Sequence, residues 1–165
     1  MLGGAIAVYE CGGARAQIRI GRRDSVKPFN VNGIPGSGER FTTIKAKFNL
    51  MGISIRDMVI LSVGGHSIGA VRSDSDMSSN VANRTFAIFD STPNVFDKTV
   101  FTEMLGGNRV IISDGSFVAD SETRDIMQEF ATGTEAYFQE AFTGSYQRMS
   151  LLGIEEETLI DFTWN

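Results

Sequence analysis

The chain of 165 residues carries one histidine, one cysteine and three prolines. A single histidine excludes a His-His metal site and a histidine dyad, so any chemistry that needs an imidazole must use His66. A single cysteine excludes an internal disulfide. Cys11 is therefore either a buried free thiol or half of a bridge to another stretch of chain. Neither sign of charge dominates: 15 basic and 20 acidic residues give a formal net charge of −5. Phosphate binding wants a basic face, so this balance argues against a nucleic-acid partner. The Arg19–Arg23 cluster is too short to overturn that and reads as a solvated loop. No apolar run approaches the roughly 20 residues of a membrane span. The apolar start lacks the basic region of a secretory signal and soon meets Glu10. It reads as a core helix entered abruptly, part-way through a larger fold.

What is present is a globular composition, 42% hydrophobic and 21% charged, in a length suited to one ordinary domain over residues 1–165. Helical patterns prevail. The first ten residues form an apolar helix that Gly12-Gly13 ends. Phe41, Ile44, Phe48 and Met51 recur at helical spacing within 39–51. Ser54-Ile-Arg-Asp57 has the hydroxyl and acid of a helix start and opens a helix running to His66. Asp97–Leu105 is a short helix stopped by glycines, and Asp120 or Ser121 caps another reaching Phe130. Thr134–Leu152 is the best amphipathic helix, with a core-facing stripe through Tyr137, Phe138, Ala141, Phe142, Ser145, Met149 and Leu152. Short strands are expected at Gln17–Ile20 and Arg109–Ile112, and loops at Asp24–Gly38 and Arg72–Asn80. The fold class is mainly α with a little β.

Alone, a histidine at the end of an apolar helix is most often a core residue. Three features alter that reading. Ser67 adjoins His66. Phe89-Asp-Ser-Thr-Pro-Asn-Val-Phe-Asp97 gathers Asp90, Thr92, Asp97 and free carbonyls in one loop, the hard oxygen donors that Ca²⁺ prefers; the plainer alternative is an Asx-turn with a helix cap at Asp97. Asp114 follows an apolar run, and a buried carboxylate there needs a partner such as an imidazole N–H.

Together these residues resemble the plant-fungal-bacterial haem peroxidase superfamily. Gly65-His-Ser-Ile-Gly69 is similar to the motif of its proximal histidine. The Phe89–Asp97 segment is similar to the proximal calcium loop of the secreted fungal class, which includes the lignin, manganese and versatile peroxidases. Ile111-Ile-Ser-Asp114 matches the segment whose aspartate bonds that histidine. Ala5–Gly13 and Gly21-Arg-Arg-Asp24 are similar to what precedes them.

The resemblance implies a proximal haem-peroxidase-like helical domain, the C-terminal half of a larger fold. His66 would ligate the iron of haem b, with Asp114 fixing its tautomer and lowering the reduction potential. Phe89 would lie on the proximal side. Ser67, Asp90, Thr92, Val95 (through its carbonyl) and Asp97 would hold one Ca²⁺. A complete molecule would be secreted, would reduce H₂O₂ via ferryl haem and would oxidise a small organic donor.

The pattern also departs from the family. A distal histidine and arginine normally handle the peroxide protons and charge, and this chain has no second histidine. The partner of a cysteine at the place of Cys11 lies in that same distal half, and Asp125 stands where the fungal class often has another cysteine. A longer peroxidase, a second chain supplying the distal half, or a non-catalytic structural subunit on a calcium-stabilised scaffold are the three explanations. A plain calcium-binding module is a further alternative.

Overall fold

A computed structural model of the chain describes residues 1–23, 26–27, 33–72, 86–154 and 158–162. The expected loop at Arg72–Asn80 lies almost wholly outside the described residues, as does part of Asp24–Gly38. Seven α-helices stand among the described residues: α1 Leu2–Glu10, α2 Phe41–Leu50, α3 Ile55–Ser62, α4 Thr99–Leu105, α5 Ile112–Ala119, α6 Ser121–Thr132 and α7 Glu135–Ser150. Four three-residue strands make two antiparallel pairs, β1 Ile18–Ile20 with β4 Ile160–Phe162 and β2 Ala70–Arg72 with β3 Phe86–Ile88. The protein is thus mainly α with a little β.

The helix starts follow from their caps. Ser54, Asp120 and Thr134 each accept the amide three residues on, Asp57, Thr123 and Tyr137 respectively, which satisfies a helix donor that has no partner within the helix. Asp57 adds a tertiary bond. Its carboxylate accepts from the Ser145 hydroxyl and the Arg148 guanidinium, tying the first turn of α3 to the last turns of α7. Burial alone would raise the Asp57 carboxyl pKa, but bonds from Arg148, Ser145 and Ser54 hold it below the usual range.

α3 is the central helix. Met58, Val59, Ile60 and the following Val63 are at most 1% exposed, and the core around them takes Val100, Phe101 and Met104 from α4, Met127 and Phe130 from α6, and Phe138 and Phe142 from α7. Tyr137, assigned to the core stripe of α7, is 39% exposed; its ring stacks on Phe130 and its hydroxyl meets Arg56 and Glu129 at the surface. Among the described residues no single helix is long and apolar enough to cross a membrane. One pair, Phe41–Leu50 with Ile55–Ser67, passes on length and composition together but is bent by 115° at its break.

Two expectations are corrected. The helix leading to His66 ends at Ser62, and a tighter 3₁₀ turn, Gly64–Ser67, carries the histidine. The cause is packing: a Cβ on Gly64 would lie 2.9 Å from Phe138 Cε2 and 3.5 Å from Phe101 Cζ, so the backbone passes against the core rings where only glycine fits. The strand expected at Arg109–Ile112 is reduced to a single bridge residue, Ile111, before α5 begins. Asp114 therefore sits in the first turn of a helix. Ser113, Gly115 and Ser116 give α5 little helical propensity; burial of Phe117 and Val118 compensates.

Candidate functional site

His66 is held from two sides. Its Nδ1 lies 3.1 Å from Asp114 Oδ1. A carboxylate only accepts, so the ring carries its proton on Nδ1 and donates it to Asp114. That leaves Nε2 as the ring nitrogen with a free lone pair. Asp114 is 1% exposed and its second oxygen is buried without a partner, so the imidazole N–H is the bond that justifies burying this carboxylate. Phe89 stacks flat on the other part of the ring, with centroids 4.0 Å apart and planes within 3°. The quarter of the His66 side chain that stays exposed lies in a cleft of about 330 Å³. Ile44, Leu61, Gly65, Ile111 and Phe117 give it apolar walls, and Pro35, Gly36 and Ser37 form one rim.

The residue after His66 faces the other way. Ser67 is fully buried. Its hydroxyl meets the carbonyls of Asp97 at 2.7 Å and Val95 at 3.2 Å, and lies 2.8 Å from the Asp97 amide, which donates to it. Gly69, with φ +96°, turns the chain into β2 while its amide donates to the Pro93 carbonyl at 2.8 Å. The histidine turn and the 89–97 loop are thus bonded at both ends of Ser67–Gly69. At the far side the Cys11 carbonyl accepts the Phe96 amide at 2.7 Å. Cys11 itself is a free, half-buried thiol.

Within that loop Asp90 is fully buried. Oδ1 accepts the Thr92 amide at 2.9 Å, while Oδ2 is buried with no hydrogen-bond partner. The Thr92 hydroxyl also reaches Asp97 Oδ1, at 3.3 Å, and Asp97 Oδ1 accepts the Thr99 amide at the start of α4. Burial pushes the Asp90 carboxyl pKa up; the Thr92 amide opposes this, and the charges of Asp97 and Glu103 add to the rise. Two carboxylates thus face a common hydroxyl, with carbonyls nearby and one carboxylate oxygen unmatched. Among the described residues no three His, Cys, Asp or Glu side chains converge on one point. The donors gathered here are instead two carboxylates, two hydroxyls and backbone carbonyls, an all-oxygen set.

All eight residues singled out in the sequence, His66, Ser67, Phe89, Asp90, Thr92, Val95, Asp97 and Asp114, are brought together by the fold. Sequence reasoning missed the rim at Pro35–Ser37 and the wall residues Ile44, Leu61 and Phe117. The Pro-Gly-Ser run was legible as a turn, but nothing local says that it faces His66.

The helical scaffold thus presents one imidazole, backed by a buried carboxylate, to an apolar cleft beside an oxygen-lined loop. The model of the peroxidase family matches residues 1–133, and the chain belongs to that family. Relatives include the cytosolic L-ascorbate peroxidase 2 of Oryza sativa subsp. japonica, 27% identical over 94% of this chain and 61% of its own length. Peroxidase 66 of Arabidopsis thaliana is 25% identical over 88% of this chain and 54% of its own. Manganese peroxidase 3 of Phlebia radiata is 28% identical over 96% of this chain and 48% of its own. The chain therefore spans about half the length of the curated relatives it matches. Plant and fungal members match at similar identity, so these relatives do not choose a class within the family.

Proposed function

We propose that this chain is the histidine-bearing part of a haem-dependent peroxidase, in which His66 would hold the iron of haem b. The observation that carries the reading is the oriented imidazole: Nδ1 is engaged by buried Asp114, and Nε2 is the free nitrogen of a ring that lines an apolar cleft. Haem bound there supplies redox-active iron that takes up the oxidising equivalents of H₂O₂ for transfer to a small organic donor. The protein's own part is positional and electrostatic. Asp114 holds the Nδ1 proton and gives the imidazole anionic character, which strengthens it as a donor to an oxidised metal. Phe89 fixes the ring's plane. Ile44, Leu61, Ile111 and Phe117 exclude water from the ligand side.

The 89–97 loop fits one Ca²⁺, held by Ser67, Asp90, Thr92, the Val95 carbonyl and Asp97. The buried, unpartnered Oδ2 of Asp90, and the burial and lesser repulsion that raise its carboxyl pKa, are what a cation relieves. Through Ser67 such an ion would brace the turn that carries His66. The residues that handle the peroxide protons belong, in this reading, to another part of the protein or to a second chain, since His66 is the only imidazole and its Nδ1 is committed. Residues 1–165 act as one unit. A place outside the cell, as in the secreted fungal class, rests on the calcium loop alone; one relative is by its name cytosolic.

Titration with ferric protoporphyrin IX tests the reading. A sharp Soret band is expected for the chain, alone or joined to the remainder of a peroxidase fold, and its loss in His66→Ala. Uptake by neither form would overturn the proposal.

A further inference from the structure

The rim of the histidine cleft is built in an unusual way. α5, which carries Asp114, begins without a side-chain cap: Ile111 occupies the cap position and makes no side-chain bond. The first amides of a helix have no partner within it. Here the Ser113 amide, in the first turn, donates to the Ser37 carbonyl at 2.9 Å. The helix presenting Asp114 to His66 is therefore capped from a loop about 75 residues earlier in the chain.

That loop is itself held by an ion pair. Lys47, on α2, donates from Nζ to the Ile34 carbonyl at 2.8 Å and to Glu39 Oε1 at 2.5 Å. The other oxygen of Glu39 accepts the Gly36 amide at 3.0 Å, and the Glu39 amide donates to the Gly36 carbonyl at 3.1 Å. Both side chains are mostly covered, 17% and 29% exposed. The Lys47 bond, followed by the Gly36 amide, holds the Glu39 carboxyl pKa below its usual range. By contrast Lys45, on the same helix, meets Glu122 at 3.3 Å with both groups more exposed, the kind of surface pair that contributes little.

We propose that Lys47 and Glu39 are positioning residues for the histidine site: their clasp on Ile34–Glu39 seats the Ser37 carbonyl on α5, and so fixes both the cleft rim and the place of Asp114 against His66. The chain of contacts runs from Lys47 through Glu39 and Gly36 to Ser37, then to Ser113 and Asp114. Neither Lys47 nor Glu39 touches the imidazole; they act through the backbone between them. As regards the ligand, the inference rests on the haem reading; as regards the clasp, it does not.

Amide hydrogen exchange of the haem-free full chain, with ferric protoporphyrin IX titration beside it, tests the clasp. Hydrogen bonds to charged groups are worth enough that losing one speeds local opening about tenfold or more. Lys47→Met is expected to accelerate the Gly36 and Ser113 amides by that factor while core amides such as Val63 and Phe101 stay slow, and to weaken haem binding about three- to tenfold. Lys47→Arg should restore much of both, and Lys45→Met should leave both unchanged. Should Lys47→Met fail to fold, Glu39→Gln provides the same test. Unchanged Ser113 exchange, or equal acceleration of every amide, would overturn the proposal. If the unsubstituted protein takes up no haem, the haem reading falls, and the exchange result still decides the clasp.

Discussion

The bond between His66 and Asp114 has a thermodynamic signature that haem-free protein suffices to reveal. His66→Ala removes an N–H donated to a buried carboxylate, worth about 1.5–3 kcal/mol, and a flat stack on Phe89 worth about 0.5–1.5 kcal/mol. Asp114 is 1% exposed with its second oxygen already unpartnered, so the variant leaves a buried carboxylate with no bond to the imidazole. A loss of about 2–4 kcal/mol is expected, moderated by the quarter of the ring that is exposed. Asp114→Ala differs in kind. It breaks the same bond but also removes the group that was costly to bury, and should destabilise by less than about 2 kcal/mol. The double variant no longer contains an orphaned charge and should be little worse than His66→Ala alone. Urea unfolding of the four proteins at neutral pH then yields a coupling energy of about 1–2 kcal/mol, close to the whole Asp114→Ala loss. Additive losses, within about 0.5 kcal/mol, would refute the view that the imidazole is what makes the buried carboxylate tolerable.

Calcium should stabilise the protein through the 89–97 loop: at a free concentration of about a hundred times Kd, binding to the native state adds about 2.7 kcal/mol. Calorimetry with and without chelator should show this gain in the unsubstituted chain and in His66→Ala, and should show none in Asp97→Ala; a chain indifferent to Ca²⁺ would rule the site out. Gly64→Ala places a Cβ 2.9 Å from Phe138 Cε2 and should cost about 1–3 kcal/mol by overpacking, whereas Gly65→Ala, with no atom within 4 Å, should melt close to the unsubstituted protein. Asp57 has a depressed carboxyl pKa in the fold. Its contribution is therefore fully present above the unfolded value near 3.9 and is lost as pH falls through the lower folded value. Asp57→Asn should flatten that acid limb in pH-dependent unfolding, and an unchanged limb would contradict the bonding to Arg148 and Ser145.

The legible parts of this chain were those whose determinants are local. Ser54, Asp120 and Thr134 announce helix starts because a cap acts across three residues, and the structure places a cap bond at each. The site could be read in the same way, because Gly65–Gly69 and Phe89–Asp97 each concentrate their chemistry within a few positions. What escaped is long-range. α5 has no helix signal in the sequence, because a strand-like run leads into its start and its interior is rich in Ser and Gly; it is helical because Phe117 and Val118 are buried and because Ser37 caps it from a distant loop. Nothing in Ile160–Phe162 signals that it pairs with Ile18–Ile20. The helix before His66 was drawn too long because the pressure that tightens it comes from rings on α4 and α7, which no local pattern records.

The central claim is the proposal that His66, tuned by Asp114, would hold the haem iron. Resonance Raman spectroscopy of the ferrous haem-loaded protein reads that bond directly. An iron–imidazole stretching band should be present in the unsubstituted protein. It should shift to lower frequency in Asp114→Asn, where the imidazole loses its anionic partner, and vanish in His66→Ala. A band that survives His66→Ala unchanged would contradict the account.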